Sequence, residues 1–193
     1  MKFTPERKTE YEQLFKTCQI RPERLGAVDA IINRILPHRD RYQAIGASLH
    51  IPWYFIAVIH SLETGLRFDR HLHNGDPLTA RTIHVPKGRP LAGHPPFTFE
   101  ESAIDALKLE GLDTKPSWPF ARMLFRLEQY NGFGYRVRGI NSPYLWSFSN
   151  QYTKGKFVAD GKFSSTAVSA QCGGATLFKR MEEQGIIAIP VAD

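Results

Sequence analysis

Residues 51–65, Ile51-Pro52-Trp53-Tyr54-Phe55-Ile56-Ala57-Val58-Ile59-His60-Ser61-Leu62-Glu63-Thr64-Gly65, constrain the chain more than any other stretch. Proline's ring sets the φ that a first helical turn needs, so Pro52 opens a helix, and Gly65 supplies a common stop. The spacing predicts about three turns between them. At roughly 100° per residue, Leu62, Phe55, Ile59 and Ile56 share one arc, and Glu63 falls inside it. A carboxylate on a core-facing stripe is unusual, because Glu is rarely buried without a partner. Glu63 also sits in the last turn, where the helix dipole disfavours negative charge. Apolar neighbours would act in the same direction, and a retained proton is what a general acid requires. The plainer alternative is a Glu paired with an Arg or capping its own chain.

A chain of 193 residues can bury the core of one domain, and residues 1–193 are read as one. Its net charge of +6 favours an anionic partner: nucleic acid, anionic lipid or an acidic wall polymer. The basic residues are dispersed, which argues against nucleic acid. Cys18 and Cys172 are far apart and are expected as buried thiols in a reducing compartment. The first residues lack the apolar core of a signal peptide, so synthesis in the cytoplasm is expected. No apolar run reaches membrane-spanning length, so stable membrane insertion is not expected.

Thr4-Pro5-Glu6 reads as the start of a helix running to about Cys18. A second helix opens at Arg21-Pro22-Glu23 and ends at Pro37, and residues 38–49 suggest a weaker third with Tyr42 and Ile45 inward. Residues 66–96 change character: prolines, glycines and the histidines at 71, 73, 84 and 94 suggest a small β-hairpin lobe or ordered loops. Thr79 to Val85 is the best strand candidate there. Four histidines invite a zinc site, but no HExxH or close helical pair is present, and neither metal nor other cofactor is expected. Further helices are expected from Thr98, from Pro119 to Tyr130, briefly from Ser142, and from Gln171 to Gln184.

Three features suggest a glycan-cleaving groove. Glycosidic cleavage needs one acid to protonate the leaving oxygen and generally a second carboxylate as nucleophile or base. Glu63 is the candidate acid; Asp76, Asp69 and the hydroxyl of Thr79 are candidate partners, although Asp76 is equally placed to cap the Asn74-Gly75 turn. Tyr130-Asn131-Gly132 offers a stacking face, an amide for a sugar acetamido group, and close backbone approach. Tyr144, Trp146, Asn150, Tyr152 and Lys154 mix aromatic and polar groups in the way pyranose rings require, unless the aromatics are core.

With Glu63-Thr64 at a helix end, a β-lobe after it and Tyr130-Asn131-Gly132 later, the chain resembles the lysozyme superfamily, especially goose-type lysozymes and soluble lytic transglycosylases. Those carry a catalytic Glu followed by Ser and a later Ala-Tyr-Asn-Ala-Gly motif. The transglycosylase Gly-Leu-Met-Gln motif is absent, and His73-Asn74-Gly75-Asp76-Pro77-Leu78 stands in its region. The segments Tyr144 to Ser147, Tyr152 to Lys156 and Asp160 to Lys162 are similar to lysozyme-like domains of phages and bacteria. The resemblance implies a mainly α (α+β) fold, a helical body and β-hairpin lobe flanking a cleft, with Glu63 as general acid and Tyr130 and Asn131 in the groove. It implies a monomeric peptidoglycan muramidase cutting between N-acetylmuramic acid and N-acetylglucosamine, in the manner of a phage endolysin or delivered effector. A lytic transglycosylase, a chitinase or chitosanase, and a non-catalytic glycan-binding module remain open.

Overall fold

The computed structural model describes residues 1–114 and 117–189. The chain is mainly helical: α1 (Pro5–Lys16), α2 (Leu25–Ile35), α3 (Arg39–Leu49), α4 (Trp53–Thr64), α5 (Phe99–Leu109), α6 (Phe120–Asn131), α7 (Pro143–Trp146) and α8 (Gly174–Glu183). A two-stranded antiparallel sheet joins β1 (Lys156–Ala159) to β2 (Lys162–Ser164). Two compact units can be distinguished, one formed by residues 1–32 with 119 onward, the other by residues 33–118.

In the first unit, α1 starts where Thr4 Oγ1 accepts the amide of Arg7. It packs on α6 through Phe15 and Phe120, 4.3 Å apart between ring centres, and through Tyr11 and Phe125. Tyr11 donates its hydroxyl to Glu128, which is buried and also held by Arg136 at 2.7 Å. Burial, with the Glu128 charge beside it, pushes the Tyr11 phenol upward. The α8 helix buries Leu177, Phe178 and Met181, as its spacing predicts, and Arg180 fixes it to Asp29 at 2.6 and 3.0 Å. A methyl group at Gly173 would meet the Leu145 carbonyl oxygen at 2.3 Å, so only glycine lets the start of α8 lie on this backbone. Cys18 and Cys172 are free, buried thiols, and burial pushes Cys18 up to about 11.

The second unit centres on α4. Every residue from Phe55 to His60 is buried; α4 packs along α3, and its His60 meets Tyr42 of α3 and Phe99 of α5. Thr98 and Glu101 form a reciprocal capping box at the start of α5, as the sequence predicts. Arg41 links α3 to α5 by paired bonds of 2.6 and 3.0 Å to Glu100, and lies 4.1 Å over the Phe68 ring.

The expected β-hairpin after Leu66 is not found where it was placed. Among the described residues, 66–96 contain no strand, only one antiparallel bridge between Arg70 and Pro77. Side-chain acceptors take the amides a ladder would use: Asp76 Oδ2 binds the amides of Ile83 at 2.8 Å and His84 at 3.0 Å. Five prolines remove further donors. The hairpin lies instead at 156–164, turning at Asp160-Gly161.

Candidate functional site

Glu63 occupies the last turn of α4. Gly65 ends the helix in the left-handed conformation (φ 61°), its amide bonded to the His60 carbonyl, and Arg34 donates to the Gly65 carbonyl at 2.8 Å. The expectation that Glu63 is enclosed by apolar neighbours is corrected: its residue is exposed, whereas Ile56 and Ile59 on the same arc are fully buried. The middle of α4, from Phe55 to His60, is covered all around, whereas Trp53 and Tyr54 at its start and Ser61 and Thr64 at its end are half-buried. Glu63 thus presents an accessible carboxylate at a helix C-terminus.

The helix end rests on His60. This residue is fully buried, with Nδ1 2.9 Å from the Tyr42 hydroxyl and its ring 4.2 Å from Phe99 and 4.7 Å from Phe68. Its Nε2 is buried with no hydrogen-bond partner. Burial pushes its pKa down to about 4, so the ring is neutral at physiological pH.

Asp76 is a loop organiser. Only 7% exposed, its carboxylate accepts from Asn74 Nδ2 (3.1 Å), the Ile83 and His84 amides, and His84 Nδ1 (2.6 Å). The His84 side chain first, then these amides, hold its carboxyl well below the usual carboxylate range. Asp69 is exposed and paired with Arg67 at 2.8 and 3.2 Å, and that guanidinium lowers its pKa. Thr79 is exposed. Chain geometry returns this loop to the foot of α4: the Leu78 amide bonds the Asp69 carbonyl at 3.2 Å and the His71 amide the Asp76 carbonyl at 2.8 Å.

The histidines of the loop have internal partners. His71 is bonded to Ser102 Oγ and the Ala80 carbonyl, and His73 to Asp105 at 2.7 Å, which also meets Arg89 at 2.8 Å. Among the described residues no cluster of three or more His, Cys, Asp or Glu side chains is arranged to hold a metal ion.

In the first unit, Asn131 is exposed at the end of α6 and Tyr130 is half-buried beside it. Asn131 lines a groove of about 520 Å³ with Gly132, Gly134, Tyr135, Phe157 and the hairpin turn Asp160-Gly161. Tyr135 forms its floor, its ring edge-on to Phe157 and its hydroxyl accepting the Phe157 amide at 3.2 Å. Tyr135 and Phe157 are not candidate site residues in the sequence reading, and Asp160 enters it only through the resemblance to lysozyme-like domains. The glycines of Gly132-Phe133-Gly134 and the Asp-Gly turn were the signals that could have found them.

The second aromatic cluster is corrected. Tyr144, Trp146 and Tyr152 are 8%, 1% and 4% exposed and belong to the core. Tyr152 donates its hydroxyl to the Gly155 carbonyl at 3.1 Å and accepts the Ser169 amide. Asn150 is exposed, but its amide joins two chain segments, accepting the Gln19 amide at 2.9 Å and donating to the Thr17 carbonyl at 3.0 Å. Lys154 is exposed. Alternating aromatic and polar residues arise here because the chain crosses the core irregularly, with polar groups bonding backbone at each crossing.

This chain is a mainly helical protein with a small antiparallel sheet. It matches no protein-family model, no curated protein and no solved structure.

Proposed function

We propose that the chain is a lysozyme-like glycosidase that cleaves peptidoglycan between N-acetylmuramic acid and N-acetylglucosamine, with Glu63 as the general acid. The observation that carries the reading is the placement of Glu63: an exposed carboxylate on the last turn of a helix whose middle is fully buried, its end held by Gly65 and Arg34. Such an acid donates its proton to the bridging oxygen as the C–O bond breaks. The exposed amide of Asn131, in a groove walled by Tyr135 and Phe157, supports recognition of an N-acetylated sugar in the first unit.

The state of Asp76 favours a second reading of the same site. A carboxylate that accepts four hydrogen bonds from its own loop is a weak nucleophile and a weak base. Glu63 then acts twice, as acid and, once deprotonated, as base toward either water or the sugar's own 6-hydroxyl. Water gives a reducing end; the 6-hydroxyl gives a 1,6-anhydro product, the transglycosylase outcome. Mass spectrometry of muropeptides released from purified sacculi decides: reducing-end products support hydrolysis, anhydro products support transglycosylation. No release by the parent, or equal release by Glu63→Gln, overturns the glycosidase reading.

A further inference from the structure

From Pro77 to Phe99 the chain holds no Asp or Glu, while Arg81, Lys87 and Arg89 lie within it. In its middle, Ile83, Val85 and Leu91 are 67%, 87% and 71% exposed. They fall within nine residues, whereas the other exposed large aliphatics among the described residues are scattered. Single exposed aliphatics need no explanation, but a cluster does.

Weak structure does not account for this exposure. Thr82, 2% exposed, closes the loop at its base: its amide donates to the Arg89 carbonyl at 2.9 Å, its carbonyl accepts Gly88 at 2.8 Å, and its hydroxyl binds Pro86 and Arg89. Asp76 holds the Ile83 and His84 amides from the other side, and Arg81 fixes the following segment through the Gly93 carbonyl at 2.8 Å. Polar groups are thus drawn inward and the aliphatic tip is presented outward on an ordered frame. Arg89 is matched by Asp105, but Lys87 at the tip is exposed.

We propose that the 82–91 loop is a docking tip for an anionic lipid surface. Hydrocarbon would receive Ile83, Val85 and Leu91, and anionic headgroups would face Lys87, within a protein of net charge +6. Three aliphatic side chains are too few for a stable protein interface, which needs about 800 Å² per partner and favours aromatic anchors. A sugar polymer is a poor match, because the tip carries no Phe, Tyr or Trp ring and no side-chain amide, and its His84 is committed to Asp76. Among the described residues no single helix is long and apolar enough to cross a membrane, so the contact is peripheral.

The test is cosedimentation of the full chain with phosphatidylcholine vesicles and with vesicles containing about one third phosphatidylglycerol, at low and high salt. The anionic vesicles should bind, less so at high salt. The double variant Ile83→Ser, Val85→Ser should bind at least about tenfold more weakly, and Lys87→Ala about fivefold more weakly. Circular dichroism should show both variants folded, since all three side chains are exposed. Absence of binding, equal binding to neutral and anionic vesicles, or unchanged binding by the two variants would each overturn the proposal. So would loop variants that lose binding to lipid-free sacculi but keep it for vesicles.

Discussion

Between Leu66 and Thr98 the buried positions include His71, Asp76 and Thr82, while Ile83, Val85 and Leu91 face solvent. Between Tyr144 and Tyr152 the arrangement is reversed: Tyr144, Leu145, Trp146, Phe148 and Tyr152 are all buried, and Asn150 is at the surface. Both stretches mix aromatic, polar and turn-forming residues with little regular structure. The first is held by side chains accepting backbone amides, which leaves apolar groups at the surface. The second buries its aromatic side chains and is tied by side chains that donate to its carbonyls, Arg21 to Ser149 and Tyr152 and Thr176 to Ser147, which leaves little for a ligand to touch. Residue type alone does not tell a site from a core; what satisfies the backbone does.

The sharpest way to break this comparison is at Glu63. Glu63→Gln should lower glycan-cleaving activity by about 10²–10⁴-fold with an unchanged melting temperature, because the amide cannot donate an acidic proton but keeps the size and shape of an exposed side chain. Activity within threefold of the parent would remove Glu63 from the mechanism. Next come the core aromatics. Tyr152→Ala and Trp146→Ala should each cost about 3–5 kcal/mol in denaturant unfolding, as truncations of buried aromatics do. If Tyr152→Ala weakened binding of chitooligosaccharides with unfolding unchanged, the assignment of this stretch to the core would be wrong. Gly173→Ala should also destabilise, by about 1–3 kcal/mol, because its methyl group has no room against Leu145.

His60 supplies a pH test within the second unit. Its folded pKa of about 4 lies below the ordinary histidine value. Both states are neutral above that ordinary value, about 6.5. As pH falls below about 6.5 the unfolded chain binds a proton that the folded one refuses, so stability declines by at most about 1.4 kcal/mol per pH unit until the folded pKa is reached. Denaturant melts from pH 7 to 4.5 should show this slope in the parent and lose most of it in His60→Leu. Asp76 acts in a lower window. Its depressed pKa contributes stability above the normal carboxylate range, and that contribution is lost as pH falls through the folded value. Asp76→Asn should lower the melting temperature at neutral pH, with activity per folded molecule kept, whereas Asp69→Asn at its exposed ion pair should leave it unchanged. A loss of activity matching that of Glu63→Gln would restore Asp76 as a catalytic partner.

The smallest effect is expected at Asn131. Asn131→Ala removes one amide from the groove and should weaken turnover of N-acetylated glycan about fivefold, the worth of one hydrogen bond. De-acetylated glycan should be unaffected. Equal losses on both would mean that Asn131 holds its loop.

Local chemistry was legible in the sequence. Thr4, Thr98 and Gly65 mark helix ends through groups only a few residues apart, and α4, α6 and α8 follow from apolar spacing within a single turn. Those interactions are fixed by bond geometry and do not depend on the remainder of the chain. Periodicity also put Glu63 on the same arc as Ile56 and Ile59, but an arc carries no information about where along its length a helix leaves the core. Tertiary structure alone settled that, along with the burial of Tyr152, the four bonds to Asp76 and the hairpin's place at 156–164 instead of after Leu66. Each depends on which distant backbone groups need a partner, as where Thr17 and Gln19 meet Asn150 or the Leu72 amide meets Ser102 Oγ. Hydrogen bonds between residues far apart in sequence are set by packing, and no local pattern encodes them.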